Sequence, residues 1–125
     1  MKSRQNLVRL KQFQVNEKRR QLAQLDMMIA EFDRMAAELD LQIAAEEKKA
    51  GITDISHFAY PTFAKAARQR RDNLRNSQID LQQQKAAAAA ALAEAEEELA
   101  KAEMLETRDA RGQAGDGAAR QAAFN

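Results

Sequence analysis

The 125-residue chain has no cysteine and no tryptophan, one proline, one histidine and four glycines, and aromatics make up only 5% of it. Each scarcity excludes something. Without cysteine there are no disulfides, no thiolate metal sites and no cysteine nucleophile. With so few aromatics and so little proline, a globular α/β core is disfavoured, whereas Ala, Glu, Gln, Arg and Lys in quantity suit long helices. No run approaches the ~20 apolar residues that span a bilayer, and the alanine run Ala86 to Ala91 is far too short. The first 14 residues carry no apolar stretch between their charges, so no secretory signal is expected there. There is no Gly-rich phosphate loop and no dinucleotide motif.

What the chain does have is a seven-residue beat. Val8, Val15, Leu22, Ile29, Ala36 and Ile43 fall one heptad apart, and Leu25, Phe32 and Leu39 sit three residues after members of that series. These are the a and d positions of a coiled-coil strand. The beat stops between Gly51 and Pro61. It resumes as Leu74, Leu81, Ala88, Ala95 and Ala102, interleaved with Leu92 and Leu99. The spacing predicts an all-α fold, a long antiparallel two-helix coiled-coil hairpin. Residues 1–49 form helix one, 50–61 the loop, 62–111 helix two and 112–125 a Gly-rich flexible tail. Gly51 suits a left-handed helix stop. Thr53 or Asp54 can cap a short turn, and Pro61 disfavours helix at Tyr60 and favours it afterwards.

Charge order selects the topology. Seven bases lie between Met1 and Arg20 against Glu17, and seven acids between Asp26 and Glu47 against Arg34. Helix two repeats the order, with Lys65, Arg68, Arg70, Arg71 and Arg75 first and Glu94 to Asp109 following. Both helices thus oppose their own dipoles. Folding back near residue 56 sets Lys18, Arg19 and Arg20 beside Glu94 to Glu98, and Glu46 and Glu47 beside Arg68 to Arg71. A parallel dimer would stack like charges instead. Lys11, Lys18, Gln78 and Lys85 fall on the seam, so the open end is expected to be the weak end.

No catalytic, cofactor or metal site is expected. His57 has no cleft or partner in a helix pair, and the acid clusters are read as solvated or paired faces. Arg68 to Arg71 lacks interleaved stacking aromatics, so nucleic acid is not an expected partner. The candidate surfaces are the two ends. At the loop tip, Ile52, Ile55, Phe58, Tyr60 and Phe63 form either a plug closing the coiled coil or a patch for a partner. At the open end the candidates are Arg4, Arg9, Lys11, Lys18, Arg19 and Arg20.

The opening MKSRQNLVRLKQFQV (1–15), then EKRRQ (17–21), GITD (51–54) and HFAYPTFAKA (57–66) resemble the small coiled-coil stalk protein of the bacterial flagellar export apparatus, the FliJ family. The likeness runs over about residues 1–104. It implies a non-enzymatic antiparallel hairpin similar to the rotor stalk of F-type ATPases. Its partners would be the hexameric flagellar export ATPase, the membrane export gate, and export chaperones and substrates. The implied location is cytoplasmic, peripheral to the membrane-bound basal body, without direct membrane insertion. By that analogy the open end faces the ATPase ring and the loop faces the gate. The Gly-rich tail departs from the family's long helical C-terminus. An escort chaperone for export substrates, a purely structural coiled coil (monomer or weak homo-oligomer) and a virulence-type secretion stalk are the alternatives.

Overall fold

The computed structural model describes the backbone of residues 2–124 and side chains up to residue 112. Two helices, α1 (Lys2–Ala50) and α2 (Thr62–Phe124), make up the fold, with no strand among the described residues. The expected all-α pair of antiparallel helices is therefore what forms. No proline and no glycine interrupts 2–50, so α1 runs unbroken. The α2 helix begins at the expected residue and extends to Phe124, past the sequence-based end at 111. The expected flexible tail, 112–125, lies almost wholly beyond the described side chains.

Gly51 ends α1. Its φ is +70°, where an L side chain is strained although a Cβ would meet nothing within 4 Å. The constraint is torsional, not steric. The Gly51 amide donates to the Glu47 carbonyl at 2.8 Å and the Ile52 amide to the same oxygen at 3.3 Å, which satisfies one of the carbonyls left over at the helix end. Asp54 then organises the connection. Its Oδ1 accepts from the Ser56 amide at 3.0 Å and the Ser56 hydroxyl at 2.7 Å. That hydroxyl holds the Asp54 carboxyl below the ordinary range. The Asp54 carbonyl takes the His57 amide at 3.1 Å, and the His57 carbonyl takes the Tyr60 amide at 3.0 Å. The chain re-enters helix when the Pro61 carbonyl accepts from the Lys65 amide at 3.1 Å.

The chain divides into two units: Ala23–Ala86, which contains the connection, and Met1–Leu22 with Ala87–Asn125. In the first unit the buried apolar residues are Ala36, Leu39, Ile43, Tyr60, Ala64, Ala67 and Leu81. Leu39, Ile43 and Ala67 form one cluster, with Leu74 packed against it. Leu25, Ile29 and Phe32 are half-buried on the same stripe. The two polar seam positions of this unit both find partners. Gln78 Nε2 donates to the Ile29 carbonyl at 3.0 Å. Lys85 Nζ lies 2.7 Å from Asp26 Oδ1.

In the second unit the buried residues are Val15, Ala95 and Ala102, flanked by half-buried Val8, Leu22, Leu92 and Leu99. Val15 is the largest fully buried side chain of the chain's described residues. Small residues bring helices close but bury little apolar area at ~25 cal/mol per Å². Polar contacts therefore matter more in this unit: Lys11 Nζ donates to Glu98 Oε2 at 2.9 Å from a seam position.

Candidate protein-interaction surfaces

In each unit the two helices are tied by ion pairs. In the unit holding the connection, α1 supplies acids and α2 bases. The pairs are Glu47–Arg68 at 3.3 Å, Asp40–Arg71 at 2.9 Å, Asp33–Arg75 at 2.8 Å and Asp26–Lys85. In the other unit the roles reverse, with Arg4–Asp109 at 2.6 Å, Lys11–Glu98 at 2.9 Å and Arg19–Glu96 at 3.9 Å. Of the expected charge-matched partners, Arg19–Glu96 and Glu47–Arg68 pair across the helices, whereas Arg20 turns to Glu17 on its own helix and Lys18 and Glu46 make no ion pair among the described residues. Arg71 reaches Asp40 rather than Glu47, because Arg68 already holds Glu47. Exposed pairs contribute only ~0–1 kcal/mol each, so the ladder chiefly fixes orientation.

The tip splits the two sequence readings residue by residue. Phe58 is 96% exposed, and Ile55 and Phe63 are exposed too. The Phe58 ring stacks on His57 with centroids 4.8 Å apart. His57 Nδ1 accepts the Ala59 amide at 3.0 Å, so His57 shapes the turn. Tyr60 corrects the expectation of a surface residue: it is 8% exposed. Its hydroxyl accepts from Arg68 Nε at 2.8 Å, and the Arg68 guanidinium lies 6.0 Å from its ring centroid. That hydroxyl is the main cause raising the Arg68 pKa, with Glu47 assisting. Tyr60 is therefore the plug, Ile52 is half-buried, and Ile55, Phe58 and Phe63 are the exposed large apolar side chains of the tip.

The six basic candidates of the open end are also divided. Arg4, Lys11 and Arg19 are held by the carboxylates of α2 given above, and Arg20 by Glu17 at 2.8 Å. Arg9 and Lys18 make no ion pair among the described residues. Lys18 instead lines a groove of about 490 Å³ with Phe13, Gln14, Gln21, Ala91 and Glu98. A smaller groove of about 250 Å³ in the other unit is lined by Phe32, Met35, Arg70, Asn73, Leu74 and Ser77.

The seam-based reading missed a set of exposed apolar side chains. Leu7, Leu10 and Phe13 are 37%, 51% and 62% exposed, and Met104 and Leu105 are 68% and 37% exposed. Their signal was the three-residue spacing 7, 10, 13, which lies off the a and d positions. Among the described residues no group of three or more His, Asp or Glu side chains could hold a metal ion. No described helix is long and apolar enough to cross a membrane. No protein-family model, curated protein or solved structure matches the chain.

Proposed function

We propose that this chain is a non-enzymatic stalk of a flagellar-type protein-export machine. It would contact the hexameric export ATPase through its open end and the membrane export gate and export chaperones through its tip. The observation that carries the reading is the exposure of three large apolar side chains, Ile55 and Phe58 on the connection and Phe63 at the start of α2. Apolar side chains held in water at a helix connection are unfavourable unless a partner covers them. The residue-level likeness of 1–21, 51–54 and 57–66 to the export stalk family supports the same conclusion. Of the six candidate bases at the open end, Arg9 and Lys18 make no ion pair among the described residues.

The mechanism is mechanical. A helix pair pinned by ion pairs transmits displacement between partners at its ends, and its asymmetry biases one subunit of a ring at a time. The location that follows is the cytoplasmic face of a basal body. The test is the ATPase rate and ring assembly of the cognate export ATPase with and without the purified chain. Stimulated turnover, with hexamers forming at lower enzyme concentration, is the expected result. No effect and no co-elution would overturn it. A second reading, an escort chaperone for export substrates, is favoured by one observation, the exposed Leu7, Leu10 and Phe13.

A further inference from the structure

The connection between α1 and α2 is built as two turns in series. The Asp54 carbonyl accepts from the His57 amide at 3.1 Å and the His57 carbonyl from the Tyr60 amide at 3.0 Å, so 54–57 and 57–60 each close a four-residue turn. Each turn carries a second brace from the side chain of its first residue. Asp54 Oδ1 accepts from the Ser56 amide at 3.0 Å, and His57 Nδ1 accepts from the Ala59 amide at 3.0 Å. Both braces are one device, a side-chain acceptor that takes the amide two residues on. The second position of each turn matches too. Both hold a large apolar side chain facing water, Ile55 at 47% and Phe58 at 96% exposure.

The two braces differ in what a proton does to them. A backbone amide only donates, so Nδ1 presents its lone pair to Ala59 and the neutral ring carries its hydrogen on Nε2. Imidazole is the side chain that ordinarily changes charge between about pH 5 and about pH 8. Once it is charged, both ring nitrogens are donors, and no rotation of the ring offers Ala59 an acceptor. The Asp54 carboxyl is held below the ordinary range, first by the Ser56 hydroxyl, and so stays ionised through the same interval. It also feels the His57 charge, which gives an imidazolium a carboxylate to turn to. The other charged groups bordering the connection are Glu46, Lys48 and Lys49 at the end of α1 and Lys65 in the first turn of α2, while Glu47 and Arg68 are paired with each other. His57 is exposed, so water delivers the proton. The Phe58 ring lies on the imidazole with centroids 4.8 Å apart, and at 96% exposure little else supports it.

We propose that the tip is a proton-operated switch: protonation of His57 at Nδ1 releases the Ala59 amide, undoes the side-chain brace of the second turn and frees the Phe58 ring, while the Asp54 turn and Ile55 stay in place. One half of the apolar display is thereby constant and the other half follows pH. A partner that grips Phe58 in its stacked position is released as the pH falls. The inference does not depend on the stalk reading, and the ATPase assay does not test it, because the switch is read on this chain alone.

The test is proton–nitrogen NMR of the full chain from about pH 8 to about pH 5. The Ala59 amide proton is expected to shift weakly with temperature at the upper pH, as a bonded amide does, and steeply at the lower. That change should share its midpoint with the His57 ring signals, and cross-relaxation between the His57 and Phe58 rings should vanish with it. The Ser56 amide should stay bonded throughout. His57→Asn supplies an acceptor that does not titrate and takes the same amide, so its Ala59 amide should stay bonded at both ends of the range. His57→Ala should leave that amide unbonded at both. Circular dichroism checks that the helices, which lie outside the turn, are kept in both variants. An Ala59 amide that stays bonded after the ring has titrated, that is already unbonded at the upper pH, or that titrates equally in His57→Asn would overturn the proposal. So would ring contacts of Phe58 that ignore pH, or loss of the Ser56 bond together with the Ala59 bond, which would mean that the whole connection opens.

Discussion

Replacing Ile43 by alanine tests what holds the two helices together near the connection. Ile43 is 3% exposed and packs in the cluster with Leu39 and Ala67. The change removes three buried carbons, worth ~0.8 kcal/mol each or ~2.4 kcal/mol. The hole left behind adds to that, but only partly, because a helix pair with Ala67 opposite can close up. Alanine returns a few tenths of a kcal/mol as a better helix former. The expected net loss is about 2.5–3 kcal/mol. Leu41, two residues away and 73% exposed, is the internal control. Its replacement by alanine should change stability by less than ~0.5 kcal/mol. Urea unfolding followed by circular dichroism measures both, with the slope unchanged and only the midpoint moving. A loss below ~1 kcal/mol for Ile43→Ala, or an equal loss at Leu41, would refute the claim that this seam carries the stability.

Four further outcomes are expected. Gly51→Ala should lose about 1 kcal/mol in the same denaturation assay, because the +70° φ penalises any Cβ whatever the space around it. Tyr60→Phe should cost ~1 kcal/mol by orphaning the Arg68 Nε–H, whereas Phe58→Ser should leave the melting curve unmoved and weaken binding at the tip. Glu98 is held below the ordinary carboxylate range, first by its hydrogen bond from Lys11 and then by that ammonium's charge. Its contribution is thus complete above the ordinary carboxylate pKa and is lost as pH falls through the lower folded value. The stability gap between the native chain and Glu98→Gln should therefore close on acidification, as read from melting midpoints across pH. Gln78→Leu should keep or raise stability while broadening the pairing, read as additional cross-strand distances between spin labels on the Ala23–Ala86 unit.

The helices were legible because a coiled-coil seam repeats. Val15, Leu39, Ile43 and Leu81 each fall on the predicted stripe and are each buried, and Gly51 ends the helix as a left-handed residue should. Charge order was legible for the same reason: a block of bases opposite a block of acids constrains direction without knowing rotamers. The tip was not legible in detail. Which of Phe58 and Tyr60 turns inward is set by the Asp54–Ser56 and His57–Ala59 hydrogen bonds, and nothing in their spacing encodes that. The individual partners of the open-end bases were not legible, because a charge count cannot say which carboxylate each side chain reaches. Leu10 and Phe13 escaped notice because a seam template scores only two positions in seven.

The polar residues on the seam explain how so alanine-rich a pair keeps one alignment. Leucine and alanine heptads fit their partners almost as well after a shift of one repeat, so apolar packing alone leaves the register degenerate. Three of the four polar seam residues break that degeneracy locally. Gln78 reaches a carbonyl of α1, Lys85 reaches Asp26, and Lys11 reaches Glu98. A seven-residue slip would carry each of them away from its partner and leave a polar group against an apolar stripe, at ~1–3 kcal/mol apiece. These residues cost packing area in the native alignment and cost more in every other one. The same logic accounts for the bases at the helix N-termini, Lys2 and Arg4 in α1 and Lys65 in α2, which oppose the dipole there. The local penalty is small and present in all alignments, whereas the opposed blocks of Asp40 with Arg71 and Arg19 with Glu96 are satisfied in one direction only.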